Sequence, residues 1–291
     1  MYRIIYAIFY LLSLLPLWLL YLFTDVVFLL VYYVIGYRKN VVFYNLSIAF
    51  PEKSEADRKA IAKKFYRNFT DFFAETIKLF SAGEKFISNH FTGNYSLINN
   101  FLHEGKKCQV HLGHNFNWEL GYHSGVQNIK GTVLGVYMPL SNKIFEKIFL
   151  KLRSRFGGNL LPATNMRKAI LPFRNLPYAL VLVADQSPHH HTKGTWVRFF
   201  NKPTSFYTAP ENGARIAGMP VIFCHVTKLK RGFYQVHFML ATNNAALMEK
   251  EALTKMYVQF LEEKMSMSPD MWLWTHKRWK WEWKEEYGPV L

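Results

Sequence analysis

The pattern of apolar and polar positions divides the chain near residue 37. From Ile4 to Thr24, 21 residues pass without a charge. As a helix, such a run covers about 30 Å, the thickness of a bilayer core. Pro16 interrupts the apolar pattern. Asp25 separates it from a second run, Val26 to Tyr37. The pattern is too long for a signal peptide, and no small-residue cleavage site follows it. Residues 1–37 therefore read as a membrane anchor, a spanning helix or else a monotopic hairpin or buried core helices, and residues 38–291 as the working domain. Only Arg3 precedes the run, whereas Arg38, Lys39 and many more cations follow it, which keeps the bulk of the chain on the cytoplasmic side.

Beyond the anchor the periodicity turns helical. Pro51 closes one piece. Ser54 and Asp57 stand at capping-box spacing before a helix over Arg58 to Phe80. That helix carries Ile61, Phe65, Phe69, Phe72, Phe73 and Ile77 on one face and Lys59, Lys63, Lys64 and Arg67 on the other. It reads as packed on a sheet with its basic face solvated. Strand-length runs follow at Cys108–Leu112, Thr132–Tyr137, Tyr178–Ala184, Pro220–Thr227 and Phe233–Leu240. Between and after them come helical stretches at Asn142–Phe156, Met166–Leu171, Ala209–Ala217 and Ala245–Met265. Strands alternating with helices predict an α/β fold, a mixed, mostly parallel sheet flanked by helices.

Composition adds two constraints. The formal net charge is +16, with 50% hydrophobic and 17% aromatic residues over 291 positions. A basic, aromatic surface suits anionic lipid, an acidic protein or nucleic acid. The apolar N-terminus favours the membrane over nucleic acid. The two cysteines, Cys108 and Cys224, both fall in predicted strands and fit a reducing compartment. The spacings hold no metal signature and no cofactor motif. The three adjacent histidines His189, His190 and His191 point in different directions and do not make a metal site by themselves.

The candidate chemistry begins at the end of the first of these strands. Gly113 breaks it, His114 follows, and a helix can start at Trp118. Polar groups at the carboxyl ends of strands are where open α/β sheets keep their chemistry. His114 and Glu119 are five apart, about 140° off a common helical face. They meet only if the histidine lies in the turn and the glutamate in the helix's first turn. A carboxylate on one imidazole nitrogen then leaves the other free as a base. The alternative is a capping turn with no chemistry.

Three other stretches stand out. Arg153, Arg155 and Gly157-Gly158 end a helix, as caps or as an anion clamp. Asp185 and Gln186 end another buried strand, the same address as His114, so the two ends can face one crevice. Residues 194–205, including Phe199, Phe200 and Lys202, form an aromatic loop that can line an apolar channel. The tail from Trp272 to Lys284 alternates Trp with Lys and Arg. It suits a membrane interface, an acidic carrier protein or a phosphorylated lipid.

Taken in order, these motifs resemble the late acyltransferases of lipid A biosynthesis, the lauroyl/myristoyl transferases of Gram-negative bacteria. The matching pieces are the apolar N-terminus, Asn45-Leu46-Ser47-Ile48-Ala49-Phe50-Pro51-Glu52-Lys53, His114 with Glu119, Arg153 to Gly158, Asp185-Gln186, Phe200-Asn201-Lys202-Pro203, and Trp272 to Trp279. The resemblance covers nearly the whole chain and implies a glycerolipid-acyltransferase-like fold. It implies transfer of an acyl chain from acyl carrier protein to a hydroxyl of a lipid A precursor, on the cytoplasmic face of the inner membrane.

In that reading His114 is the general base and Glu119 holds its tautomer. Arg155, with Arg153 close behind, stabilises the oxyanion or binds phosphate. Asp185 orients that arginine or the acceptor, and Phe199 and Phe200 line the acyl pocket. Gly157, Gln186 and Lys202 complete the expected substrate contacts. The glycerol-phosphate block Phe-Pro-Glu-Gly-Thr-Arg of many glycerolipid acyltransferases is absent, which argues against lysophosphatidic acid as acceptor. An aminolipid or other glycolipid acceptor, or a non-catalytic protein that binds anionic lipid, are the alternative readings.

Overall fold

The N-terminal apolar segment folds back onto the rest of the chain in the computed structural model, which describes residues 1–190 and 194–291. Helix α1 spans Tyr2–Leu14 and α2 spans Leu17–Leu29, continued by a π-helical segment over Leu30–Ile35. The run expected from Ile4 to Thr24 is thus two helices. Leu15 and Pro16 are extended, because a proline ring clashes with the preceding turn and supplies no amide. Among the described residues one helix, Leu17–Ile35, is long and apolar enough to cross a membrane.

Its inner face is tied down by polar contacts. Asp25 pairs with Arg231 at 2.7 Å, and the same guanidinium reaches Asp71 at 2.6 Å. The Tyr21 hydroxyl donates to Glu75 at 2.8 Å. Lys78 donates to the carbonyls of Ser13 and Leu15, 2.9 Å each, and so caps the break between the two helices. Ile4, Leu11, Trp18, Leu22, Val26 and Val34 stay exposed on the outer side.

After α3 (Lys39–Ala49), helix α4 (Glu55–Lys78) starts at the expected capping box. Ser54 Oγ accepts from the Asp57 amide, and the Asp57 carboxylate accepts from the Ser54 amide. The α/β core follows as α5 (Glu84–His90), β1 (Phe91–Gly93), α6 (Ser96–His103), β2 (Cys108–Leu112), α7 (Trp118–Asn128), β3 (Thr132–Tyr137) and α8 (Lys143–Arg153). Then come β4 (Asn159–Pro162), α9 (Met166–Ala169), β5 (Tyr178–Val183), β6 (Gly194–Phe199), β7 (Lys202–Tyr207), α10 (Ala209–Ile216), β8 (Val221–Lys230), β9 (Phe233–Thr242) and α11 (Ala252–Met267). The last helix starts later than the periodicity predicts, since residues 245–247 form a separate 3-10 turn.

Seven strands form one sheet in the order β1-β9-β8-β2-β5-β3-β4. The β8–β9 pairing is antiparallel and the other five pairings are parallel, so the sheet is mixed and mostly parallel, as expected. The register sets Leu112 beside Val183, which brings the segments after β2 and β5 side by side at the carboxyl edge.

Two expectations change here. The aromatic loop 194–205 is a separate two-stranded hairpin, β6 with β7, turned through Phe200 and Asn201 at φ 48° and 59°, the backbone that a two-residue hairpin turn requires. The tail, expected to suit a membrane interface or a charged partner, keeps Lys277, Lys280 and Lys284 exposed but packs its first tryptophans inward. Trp272, Trp274 and Trp279 are buried. Phe116 N donates to the Met271 carbonyl at 3.0 Å, and Leu273 N donates to the His114 carbonyl at 3.2 Å. Asn45 donates to the carbonyls of Trp274 and His276, 2.8 Å each. The chain's last segment is therefore a wall of the crevice.

Candidate active site

His114 follows Gly113 in the turn after β2. A Cβ at Gly113 would lie 3.1 Å from Leu261 and 3.3 Å from Asp185 Oδ2, so a glycine here lets the carboxylate come close. Asp185, two residues beyond the end of β5, is 1% exposed. Its Oδ1 lies 2.6 Å from His114 Nδ1, and its Oδ2 accepts from the His114 amide at 2.8 Å and from Trp272 Nε1 at 2.6 Å. Burial pushes this carboxyl up. The His114 ring and amide and the Trp272 indole outweigh it and hold the group at about 2. An ionised Asp185 accepts a hydrogen bond from Nδ1–H, leaving Nε2 as the lone-pair nitrogen. The Gln186 side-chain nitrogen sits 3.2 Å from Nε2.

Glu119 does not meet His114. It lies in the first turn of α7, where Asn117 caps the helix by accepting from Leu120 N at 3.0 Å. Its carboxylate takes a two-point grip from Arg153, Nε to Oε2 at 2.9 Å and Nη2 to Oε1. Burial raises the Glu119 carboxyl, and Arg153 more than offsets this and holds it low. The expected His114–Glu119 hydrogen bond is thus replaced by two pairs, His114–Asp185 and Glu119–Arg153. The physical reason is register: strand pairing sets Asp185 against His114, while the helix turns Glu119 towards α8.

Arg153 and Arg155 separate in the same way. Two residues apart, they leave the end of α8 in different directions. Arg153 faces the crevice, and Arg155 donates to the Leu79 carbonyl behind it. Gly157 adopts φ 87° in the turn that follows. Phe199 packs on Phe206 and Trp279, and Phe200 on Phe50, outside the cavity wall. Lys202 reaches the Tyr44 hydroxyl at 3.0 Å on the surface. Of the expected residues, His114, Glu119, Arg153 and Gln186 line one cavity and Asp185 supports it. Arg155, Gly157, Phe199, Phe200 and Lys202 lie elsewhere.

That cavity measures about 940 Å³. Its mouth carries the part-exposed His114, Arg153, Gln186, His276 and Lys280, with the buried Glu119 behind Arg153. Its depth runs between α7 and the sheet, past Phe91, Ile98, Val133, Val226 and Phe238. Gly121 and Gly125, one turn apart on α7, leave room along it. Only at Gly125 does an added Cβ find ordinary space, 3.8 Å from Ile129; at Gly121 it would meet Phe91 at 2.9 Å.

Trp272, His276 and Lys280 have no assigned role in the sequence reading, although Trp272 and His276 fall inside the quoted tail motif. His189 lines the cavity edge and His190 lies by Trp281; His191 lies outside the described residues. Among the described residues no group of three His, Cys, Asp or Glu side chains is arranged to hold a metal ion.

A histidine oriented by a buried aspartate, facing a cavity polar at its mouth and apolar in its depth, suits an enzyme that moves a fatty chain onto a hydroxyl. The chain belongs to the bacterial lipid A biosynthesis acyltransferase family, which its residues 2–281 match. Comparison with curated proteins found no match.

Proposed function

We propose that this acyltransferase moves a fatty acyl group from the thioester of acyl carrier protein to a hydroxyl of a lipid A precursor, with His114 as general base. The observation that carries this reading is the Asp185–His114 pair at the mouth of a cavity of about 940 Å³. Asp185 holds the proton on Nδ1, and Nε2 takes the proton of the acceptor hydroxyl as its oxygen attacks the thioester carbonyl. The carbonyl π pair moves to oxygen. Collapse of the tetrahedral species expels the thiolate, which receives the proton from His114. The reaction passes through no acyl-enzyme.

The apolar depth holds the acyl chain, removing its methylenes from water at about 0.8 kcal/mol each. Glu119 aims Arg153 at the mouth, where a guanidinium suits the phosphate of an anionic acceptor. Residues 1–37 contact the membrane through the exposed side of α1 and α2, and residues 38–291 form the catalytic domain on the cytoplasmic face of the inner membrane. Exposed Trp18, Leu22 and Val26 on a helix docked to the domain support this. The net charge of +16 supports an acidic carrier as donor.

The test is thiol release from dodecanoyl-acyl carrier protein by the full chain in the presence of a lipid A precursor, with the acylated lipid followed by mass. Wild-type protein produces both thiol and acylated lipid, and His114→Ala produces neither above background. Equal turnover by His114→Ala would overturn the assignment of the base.

A further inference from the structure

His276 stands on the cavity wall beside His114, and the hydrogen bonds around it determine which ring nitrogen carries its proton. Ser187 N donates to His276 Nε2 at 3.1 Å. A backbone amide can only donate, so Nε2 is the bare nitrogen, and the neutral ring carries its hydrogen on Nδ1. Burial, then the Arg278 charge, push this imidazole down to about 4, so it is neutral at ordinary pH. Nδ1 meets no protein acceptor among the described residues and is not sealed inside the protein. His276 lines the cavity, so Nδ1 is its ring donor left for a ligand there.

Its position is built, not incidental. Leu273 N donates to the His114 carbonyl, and His276 N donates to the Leu273 carbonyl at 3.1 Å, so one short turn joins the two histidines. Asn45 clamps the His276 carbonyl from the far side. Ser187, which holds Nε2, is itself held, its hydroxyl donating to the Arg278 carbonyl and accepting from Arg278 Nη1 at 2.9 Å.

The backbone amides that follow β2 are already committed, and the Gln186 side-chain nitrogen is engaged 3.2 Å from His114 Nε2. His114 N is spent on Asp185, Asn115 N on the Gly113 carbonyl and Phe116 N on the Met271 carbonyl. Arg153 spends Nε and Nη2 on Glu119. The carbonyl oxygen that gains charge as the hydroxyl attacks needs a preorganised donor close to the base.

We infer that His276 Nδ1–H donates to the carbonyl oxygen of the acyl thioester and stabilises the oxyanion formed on it. The inference rests on the acyl-transfer reading. No proton leaves His276. The oxyanion accepts its hydrogen bond, and the transferred proton stays on the acceptor–His114–thiolate path. A neutral imidazole suits this work, since it polarises a carbonyl without giving up its proton to the oxygen.

Two variants separate this role from a structural one. Gln in place of His puts a side-chain oxygen where Nε2 lies and keeps the Ser187 contact without a donor at Nδ1. Asn puts an amide nitrogen near Nδ1 and loses the Ser187 contact. The probe is dodecanoyl-acyl carrier protein with a lipid A precursor. His276→Gln keeps its melting temperature and its donor KM but loses kcat by about 10²–10³-fold, the effect of removing one oxyanion donor. His276→Asn turns over faster than His276→Gln and so recovers part of that loss. Near wild-type kcat in His276→Gln, or a lower kcat in His276→Asn than in His276→Gln, would overturn the inference and leave the acyl-transfer reading standing. A wild-type protein that releases no thiol would overturn both.

Discussion

The Asp185 carboxylate grips His114 at two points, Oδ1 on the imidazole Nδ1 at 2.6 Å and Oδ2 on the backbone amide at 2.8 Å. Such a grip sets the tautomer and the aim of the ring together. In Asp185→Asn the amide donates to Nδ1, moves the proton to Nε2 and removes the base. Turnover of dodecanoyl-acyl carrier protein falls by about 10³–10⁴-fold, by analogy with the loss when a catalytic histidine's aspartate is neutralised. Activity within tenfold of wild type would show that the carboxylate is not needed.

The second buried pair makes a stability prediction. Glu119 is 3% exposed and held by Arg153. Arg153→Met strands a buried carboxylate and costs about 3–5 kcal/mol, and adding Glu119→Gln recovers most of this, because a removed pair costs less than a broken one. Urea unfolding of Arg153→Met, Glu119→Gln and the double variant checks it. Additive losses would show that the pair is not coupled.

Buried histidines give the fold an acid limb, His111 and His123 among them. Burial pushes His111 down to about 3 and His123 down to about 4, against 6.5 for the free side chain. Both rings are neutral in the folded protein, while the unfolded chain takes up protons below about pH 6.5. Their contribution is complete above that pH and is lost as pH falls towards 4 and then 3. Each removes about 1.4 kcal/mol per pH unit within its window. Unfolding free energy therefore drops between pH 7 and pH 5, and His123→Phe flattens the slope. An unchanged slope in that variant would contradict the assignment.

Gly125 offers a place to shorten the cavity. Its Cβ position meets only Ile129 at 3.8 Å, so α7 tolerates a side chain there. Gly125→Leu shifts donor preference towards shorter acyl chains in a competition between octanoyl and tetradecanoyl carrier thioesters, and leaves the base chemistry intact. Unchanged selectivity would place the acyl chain elsewhere.

Much of this arrangement was legible in the chain. The strand, Gly113 break and helix around His114 follow from local pattern, as do the capping box at Ser54 and Asp57. Asp185 at the end of a second buried strand was readable as facing the same crevice. Its pairing with His114 was not, because a five-residue spacing to Glu119 is local information and the Leu112–Val183 register is not. The choice between Arg153 and Arg155 depends on where α8 lies against the sheet, which periodicity near a helix end does not carry. The burial of the tail's tryptophans was hidden for a related reason. Trp279, Trp281 and Trp283 alternate with charged residues as interfacial aromatics do, yet Trp279 is buried, and Trp272 and Trp274 before it are buried against Asp185, Asn45 and Phe50. Asn45, a residue of the early Asn-Leu-Ser motif, holds that tail from more than 200 positions away.

The most direct test is the lipid A mass spectrum of the parent organism with the gene deleted, then complemented with wild type or with Asp185→Asn. Deletion removes one secondary acyl chain, wild type restores it, and Asp185→Asn at equal protein level does not. An unchanged lipid A spectrum on deletion, or full restoration by Asp185→Asn, would contradict the account.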